Sequence, residues 1–316
     1  MIHLNTRADK TLNILLKGTN KALSKLLEDI SPQELAKLSK SPKDLGELLH
    51  SFLKNDAGIN KQDNQALLTL LKNNPTFKEL SNVTTTLKDL QQLLQKERLP
   101  FTAKLQDVLS KSLEDIAHID DKTLKSKLEN SGIFLESKLK TLNLSEKELK
   151  NILSNDLKAL VYKTLQELKN SSHTSNPELS SKLDKLALQI DYYQLLSHLS
   201  NAPALYLPYS FEGFEEGSIS IKKAKKAHYF CDIDLKLKEY EALQMRLGLF
   251  EKNQLRINIT CESKELREML QENLPVLKEQ LFSVGLYPQD ISFLDSTATQ
   301  YDTHHTDIDL GFEVKA

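Results

Sequence analysis

The sequence predicts an α+β protein, with a helical N-terminal half and a small mixed α+β C-terminal domain in which β-hairpins pack on one long helix. Apolar residues recur every three or four positions almost continuously from Leu12 to about Leu199, which is the spacing of amphipathic helices. After Ser200 the period changes to strict alternation, which is typical of strands with one buried face. The change of period divides the chain into two predicted domains, 1–200 and 201–316.

Length and charge limit what the chain can be. Its 316 residues are enough for two or more domains. The 42 basic and 44 acidic side chains leave a net charge of −2, so no broad electrostatic attraction to nucleic acid is expected. No apolar run approaches the roughly 20 residues that a membrane helix needs, so we expect no membrane insertion. Because Met1–Asn13 lacks an apolar signal core, we expect any export to use a route that does not read a secretory signal.

The helical half divides further into a repeat-like part, 12–100, and a second helical part, 101–200. Asn20–Leu27 is similar to Asn64–Leu71, and Glu34–Leu49 is similar to Glu79–Leu94, at an offset of 44 to 45 residues. Coincidence is the alternative, because leucine and lysine are abundant here. Two copies are few for a solenoid, so we interpret the region as a compact pair of helical hairpins.

Serine marks the start of several predicted helices. Ser31-Pro32 and Ser41-Pro42 each place serine at the N-cap and proline at the first helical position. Ser145 and Glu148 predict a capping box, in which the glutamate side chain reaches back to the amide of the cap residue.

The segment Ser126–Leu139 contains a small-residue pair, Ser131-Gly132, between two apolar stretches. One helical face would carry Leu128, Phe134, Leu135 and Leu139. The small pair would then allow a kink or a close contact with another helix. An ordinary helical hairpin with a small residue at a crossing explains the pattern equally well.

The strands predicted after Ser200 begin with an edge strand at Leu205–Tyr209, stopped by a proline. Strands around Ile219–Ile221 and Tyr229–Leu237 form a hairpin through the turn Lys223–Lys226. A last strand at 308–314 follows a polar loop. Either edge strand could accept a strand from a partner.

The stretch Leu243–Phe293 combines both periods. Alternating runs from Leu243 to Leu249 and from Leu255 to Ile259, joined by a turn at Glu251–Gln254, predict a hairpin with one buried face. A helical stripe follows, which we expect to be N-capped by Ser263 and ended by Gly285. Ile291 and Phe293 predict a short returning strand.

Both cysteines, Cys231 and Cys261, fall in predicted strands. They could form a disulfide if they face each other, whereas buried free thiols are the expected state in a reducing compartment.

The runs from Leu243 to Leu249 and from Leu255 to Ile259, with the helical positions that follow, resemble the C-terminal domain of flagellar hook-length control proteins. These helical positions are Lys264-Glu265-Leu266-Arg267, Leu270–Lys278, Leu281 and Gly285-Leu286. The segment Asn130–Leu139 is similar to one that precedes this domain in many such proteins. One departure is Tyr240-Glu241, where the family usually has Leu-Gly.

This resemblance implies a non-enzymatic protein that is exported by the flagellar type III apparatus from the cytoplasm. It also implies contact with the cytoplasmic domain of the export-gate switch protein (FlhB type), with hook or hook-cap proteins as further partners. The family's measuring proteins tend to have long regions rich in Pro, Gln, Ser or Ala, whereas this N-terminal half is rich in Leu and Lys. The chain could therefore measure hook length or act only on export specificity.

No catalytic constellation is present in the sequence, and we expect no cofactor, no metal and no enzymatic activity. His304 and His305, with Asp302 and Asp307 nearby, could ligate a metal, but a solvated loop is the expected state. The basic cluster of the 223–226 turn could meet an acidic partner, although a solvated turn explains it; its members are Lys222, Lys223, Lys225 and Lys226.

Candidate partner-binding residues remain. Phe211 and Phe214 lie in a glycine-containing loop, where large apolar groups either pack over the sheet or form a docking patch. Arg246, Arg256 and Asn258 lie on the predicted polar face of the hairpin. The second function class is a cytoplasmic helical scaffold or adaptor with a C-terminal protein-docking domain, and an enzyme is third.

Overall fold

A computed structural model of the chain confirms the α+β class: a helical N-terminal half is followed by a six-stranded mixed sheet with helices. The structure describes residues 68, 71–72, 79–97, 99–115, 120–139, 145–170, 176–200, 202–207, 211–223 and 228–294. The chain divides into two compact units, Met1–Ser220 and Ile221–Ala316. We predicted a change of domain near Ser200; the domains 1–200 and 201–316 stay a prediction.

The described helices of the first unit are α1 (Val83–Glu97), α2 (Ala103–Ser112), α3 (Asp121–Glu129), α4 (Leu135–Leu139), α5 (Glu146–Asn155), α6 (Leu157–Asn170) and α7 (Pro177–Ser200). Short 3₁₀ turns lie at Glu79–Ser81 and Pro100–Thr102. The predicted capping box at the start of α5 is confirmed: Ser145 Oγ accepts from Glu148 N at 3.2 Å, and Ser145 N donates to Glu148 Oε2 at 2.7 Å.

Helix α7 organises the core of the first unit, because it packs against both α1 and α6. Its leucines at 179, 183 and 186 are wholly buried, at helical spacing. Two tyrosines on this helix also satisfy backbone carbonyls that lie far away in sequence. Tyr192 Oη donates to Leu71 O at 3.1 Å, and Tyr193 Oη donates to Ser81 O at 3.2 Å.

The segment Ser126–Leu139 is two helices rather than one continuous face. Gly132 separates α3 from α4 and has a φ of +92°, a conformation that glycine adopts without steric cost. The predicted close contact is confirmed, since a Cβ added at Gly132 would lie 2.8 Å from Lys158 Cβ on α6. The glycine thus lets the segment lie directly against α6.

A buried polar network holds this segment to α6 and α7. Lys158 is wholly buried, and its Nζ donates to Glu136 Oε1 and Gln194 Oε1, both at 2.6 Å. Asp191 Oδ1 lies 2.8 Å from the same Nζ. Gln194 Nε2 in turn donates to the carbonyl of Ile133 at 2.9 Å. A buried ammonium is tolerated here because three oxygens replace its water shell.

A second, partly buried ion pair lies beside the first. Asp156 is wholly buried, and its Oδ2 lies 2.7 Å from Lys138 Nζ. Its other oxygen accepts from the amide of Lys158 at 3.1 Å, at the first turn of α6. Burial raises the pKa of the Asp156 carboxyl, while the Lys138 ammonium opposes that rise.

The strands are β1 (Ala204–Tyr206), β2 (Phe214–Lys223), β3 (Tyr229–Leu237), β4 (Glu241–Phe250), β5 (Gln254–Cys261) and β6 (Tyr287–Leu294), in that spatial order. The pairs β1/β2, β3/β4 and β4/β5 are antiparallel, and β5/β6 is parallel. The edge strand predicted at Leu205–Tyr209 corresponds to β1, whose three residues are all buried. Tyr206 Oη donates to Ser131 O at 2.7 Å.

The predicted β4–β5 hairpin and its turn are confirmed. Glu251 and Lys252 both have positive φ, 47° and 76°, which matches the right-handed twist of a hairpin. β4 begins at Glu241 directly after the turn from β3, and Leu237 pairs with Glu241. Among the described residues only Glu251 and Lys252 are non-glycine residues with positive φ, so the Tyr240-Glu241 position does not need a glycine here.

The prediction of one long helix after the hairpin is wrong. The structure has α8 (Lys264–Glu272) and α9 (Leu274–Ser283), separated at Asn273. Pro275 is the physical reason, because a proline has no N–H to donate and is best accommodated in the first turn of a helix. The predicted ends are confirmed: Ser263 Oγ accepts from Leu266 N at 3.2 Å, and Gly285 has a φ of +79°.

The predicted returning strand is β6, which lies parallel to β5 after the crossover through α8 and α9. One face of the β3–β6 sheet forms the core of the second unit with these helices. Its buried residues are Leu243, Leu255, Ile257, Ile259, Cys261 and Leu266. The first copy of the predicted repeat, the serine caps at 31 and 41, the turn 224–227 and the strand at 308–314 lie outside the described residues.

Candidate partner-binding site

The sheet face opposite α8 and α9 brings three of the predicted binding residues together. We call it the open face. Arg246 on β4 pairs with Asn258 on β5. Two residues further along β4, Gly248 pairs with Arg256 on β5. Because side chains alternate along a strand, these residues point away from the face that carries Leu247 and Ile257.

Arg246 is held in place by an acidic neighbour. Its Nε donates to Asp232 Oδ1 at 2.7 Å, and the two residues are opposite each other on β4 and β3. The two side chains are 30% and 19% exposed, so the ion pair lies in the surface of the sheet. Asn258 beside it is buried, at 8% exposure. A partner approaching this point would meet a guanidinium that is already oriented.

Arg256 lies over an aromatic ring. Its guanidinium carbon is 5.7 Å from the centroid of the Phe250 ring, which is within the range of a cation–π contact. Gly248 leaves the space for that ring, because a Cβ at this position would lie 2.8 Å from Phe250 Cε2. Phe230 packs edge-on against Phe250, with the centroids 5.7 Å apart.

Sequence reasoning did not single out the aromatic group of this face. His228 also packs against Phe250, at 4.9 Å between centroids. In the sequence, Phe230 and Phe250 interrupt the otherwise polar positions of β3 and β4, and this could have indicated an aromatic cluster on this face. Gly248 lies between the two rings in the structure. The open face therefore combines two arginines with an aromatic cluster.

The other two predicted residues belong to the first unit. Phe211 and Phe214 stack on each other, with centroids 4.8 Å apart and planes at 27°. Phe214 is 1% exposed and Phe211 is half-buried, which fits the packing alternative for Phe214. Phe211 is the one of the two rings that a partner could reach.

The two cysteines are free. Cys231 lies on β3 opposite Leu247, and Cys261 lies on β5 opposite Leu243, so β4 separates them. Burial, and to a smaller extent the Asp232 carboxylate, raises the pKa of the Cys231 thiol to about 11. Burial also raises the pKa of Cys261, although Arg267 opposes the rise. Neither thiol is activated as a nucleophile.

Three further sequence predictions concern membrane insertion, the basic cluster of the 223–226 turn and a metal site. No helix among the described residues has the length and apolar character to cross a membrane. Lys222 and Lys223 are exposed at the end of β2, whereas Lys225 and Lys226 lie outside the described ranges. His304 and His305, with Asp302 and Asp307, also lie outside them.

Comparison with known families gives a match in the C-terminal part of the chain. The model of the family described as "Flagellar hook-length control protein FliK" matches residues 217–302, which include part of β2 and all of β3–β6 with α8 and α9. The resemblance predicted from the sequence is confirmed for this stretch. Searches of curated proteins and of solved structures gave no match.

Proposed function

Starting from a flagellar hook-length control domain at residues 217–302, we propose that this protein is a non-enzymatic regulator of hook length and of export specificity. The family match carries the proposal, because it covers the strands and helices of the second unit. In this role the protein ends the export of rod and hook subunits and allows the export of filament subunits.

Deleting the gene tests the role in the cell. We expect polyhooks that lack filaments, measured as the distribution of hook lengths by electron microscopy, and we expect a plasmid copy of the full chain to restore both. Normal hooks and normal motility in the deletion strain would contradict the proposal.

We further propose that the open face binds the cytoplasmic domain of the export-gate switch protein. Arginine is enriched among residues that dominate binding energy, and two arginines lie here on adjacent strands. Asp232 orients one and the Phe250 ring supports the other, so less side-chain freedom is lost on binding.

Binding of the full chain to that cytoplasmic domain, measured by calorimetry, tests this contact. The double variant Arg246→Ala/Arg256→Ala is expected to weaken binding at least about tenfold. Arg267→Ala is the matched control, because Arg267 lies on α8 and donates to Phe293 O at 3.2 Å. Equal affinities for the double variant and the control, with both proteins folded by circular dichroism, would count against the open face.

Export separates this proposal from the adaptor alternative. A hook-length regulator synthesised in the cytoplasm appears in the culture supernatant, and its appearance depends on the flagellar export apparatus. A helical scaffold with a protein-docking domain stays in the cell in both backgrounds. Immunoblots of supernatant and cell fractions from export-competent and export-deficient strains distinguish the two.

A further inference from the structure

Residues 130–139, which we call the α4 segment, are held to the rest of the first unit by few apolar and several polar contacts. Its buried apolar side chains are Ile133 and Leu135, and α3 before it has no fully buried residue. Tyr206 Oη donates to the backbone of the segment, at Ser131 O, over 2.7 Å. A segment with so little buried apolar surface can open locally while the rest of its unit stays folded.

Two charged side chains of the α4 segment contact buried charges of opposite sign. Lys138 Nζ lies 2.7 Å from Asp156 Oδ2, and Glu136 Oε1 lies 2.6 Å from Lys158 Nζ. Glu136 and Lys138 are each about one quarter exposed, whereas Asp156 and Lys158 are wholly buried. Opening of the segment therefore takes a counter-ion away from each of two buried charges.

Lys158 has a second carboxylate within reach. Asp191 Oδ1 on α7 lies 2.8 Å from Lys158 Nζ but makes no hydrogen bond, because the hydrogen bonds of this ammonium go to Glu136 and Gln194. An ionised Asp191 leaves Lys158 with an anionic partner when Glu136 departs. With a neutral Asp191, the departure of Glu136 leaves the ammonium buried without a counter-ion, which is strongly unfavourable.

We propose that the α4 segment opens locally from α6 and α7, and that ionisation of Asp191 favours the open state by replacing Glu136 as the counter-ion of Lys158. The first unit thus contains a switch in which two carboxylates compete for one buried ammonium. The α4 segment carries one of these carboxylates, and the core helix α7 carries the other. This inference does not depend on the proposed function.

The pKa of Asp191 sets the direction of the pH dependence. In the closed state burial raises this pKa to about 7, against the attraction of Lys158. In the open state Asp191 gains access to water and no longer shares Lys158 with Glu136, so its pKa is lower. The closed state then holds a proton that the open state releases. Closure is therefore favoured at low pH, and this preference is lost as pH rises through about 7.

The groups that face Asp191 come from α4 and α6. They are Glu136, Lys158 and Tyr162, and burial raises the pKa of Tyr162, which stays neutral. Helix α1 also packs against α7, but its Asp89 pairs with Lys182, more than two turns before Asp191. Strand β1 has no charged residue, and Glu79 of the first 3₁₀ turn is exposed. The pH dependence near neutrality is thus that of Asp191.

Amide hydrogen exchange of the full chain between about pH 5.5 and pH 8, corrected for the intrinsic effect of pH on exchange, tests the proposal. Two amides report opening: Lys138 N donates to Phe134 O, and Leu157 N donates to Asn130 O, both at 2.9 Å. Their opening equilibrium constant should rise at least about threefold over this range. The amide of Leu183 on α7 reports global unfolding and should be protected at least about tenfold more strongly throughout.

Substitution of Asp191 tests the role of its charge. Asp191→Asn cannot ionise, so its exchange at pH 8 should stay as slow as that of the wild type near pH 5.5. Asp184→Asn is the matched control, because it makes the same change at an exposed position on α7 and should keep the wild-type pH dependence. If Asp191→Asn does not fold, Glu136→Gln takes its place, since it removes the competing carboxylate from Lys158. This variant should show a weaker pH dependence than Glu129→Gln, which is exposed on α3.

Three results overturn the proposal. In the first, Lys138 and Leu157 exchange no faster than Leu183 at any pH, so that opening is global. In the second, opening in the wild type does not vary with pH. In the third, the asparagine variants at 191 and 184, or the glutamine variants at 136 and 129, share one pH dependence.

Discussion

Lys158 Nζ and Asp191 Oδ1 lie 2.8 Å apart, between α6 and α7, with 0% and 3% of their side chains exposed. Glu136 on α4 also forms an ion pair with the Lys158 ammonium, so two carboxylates contact one buried cation. Burial raises the pKa of Asp191 to about 7, against the attraction of Lys158. The segment Ser131–Leu139 is therefore fastened by charge as well as by apolar packing.

Replacing the shared cation should strongly destabilise the first unit. Lys158→Met leaves the buried Asp191 and the partly buried Glu136 without their counter-ion, and we expect a loss of about 3–5 kcal/mol in the free energy of unfolding. Lys163→Met is the control, because Lys163 lies exposed on the same helix, and its change should stay within about 0.5 kcal/mol. Urea unfolding measures both, and equal midpoints for the two variants would contradict the account.

The raised pKa of Asp191 predicts a dependence of stability on pH. The folded pKa of about 7 lies above the ordinary value of 3.8, so the folded protein holds a proton that the unfolded chain releases. This stabilising contribution is complete below about pH 4 and is lost as pH rises through about 7. Between pH 5 and pH 8 the wild type should lose about 1–3 kcal/mol relative to Asp191→Asn, which cannot ionise.

Unfolding curves at several pH values measure this difference. The other groups near Asp191 are Glu136, Lys158, Tyr162 and Gln194, and all are unchanged in the variant. Asp121→Asn, at an exposed position at the start of α3, also removes one carboxyl group and is the control variant. A difference in stability between wild type and Asp191→Asn that does not vary with pH would refute the assignment.

Alanine substitutions at two glycines distinguish the cost of backbone strain from the cost of steric overlap. Gly132 and Gly213 both have positive φ, 92° and 76°, so alanine at either should cost about 1–2 kcal/mol. Only at Gly132 would the new Cβ also overlap α6, 2.8 Å from Lys158 Cβ, while Gly213 has open space. Gly132→Ala should therefore be more destabilising than Gly213→Ala by at least about 1 kcal/mol in urea unfolding. Equal losses would mean that the close contact contributes nothing.

The cysteines should stay reduced and react slowly. Cys231 and Cys261 lie on strands separated by β4, which puts their Cα atoms roughly 10 Å or more apart, beyond disulfide reach. A reductant should leave the unfolding midpoint unchanged. Iodoacetamide at pH 8 should alkylate both thiols at least about tenfold more slowly in the folded chain than in denaturant, because burial disfavours the thiolate. A midpoint that falls on reduction would indicate a disulfide.

The helices and strands that were predicted correctly are those whose residue pattern lies within a single short segment of the chain. Alternation predicted β4 and β5, and the spacing of Ser145 and Glu148 predicted the start of α5. The break at Asn273 was missed because the apolar spacing of Leu270, Leu274 and Leu277 continues across it. A proline inside a periodic run was the signal for the break.

The buried ion network was not predictable from spacing alone. Periodicity shows which face of α6 or α7 is apolar, but it does not show which residues of distant helices meet. Lys158 between Leu157 and Ala159, and Asp191 between Ile190 and Tyr192, were weak signals, since a charge inside an apolar run must find a partner when buried. On the open face, the register of β3, β4 and β5 brought Phe230 and Phe250 beside Arg256, which no single strand reveals.

The distribution of hook lengths in a strain that carries an Ile257→Asp chromosomal allele tests the central claim most directly. Ile257 is buried in the core of the second unit, so a carboxylate there should unfold that unit. Gln271→Asp, exposed on α8, makes the same charge change as a control. With both proteins at wild-type abundance, we expect polyhooks without filaments for Ile257→Asp and normal hooks for Gln271→Asp. Normal hooks with filaments in the Ile257→Asp strain would contradict it.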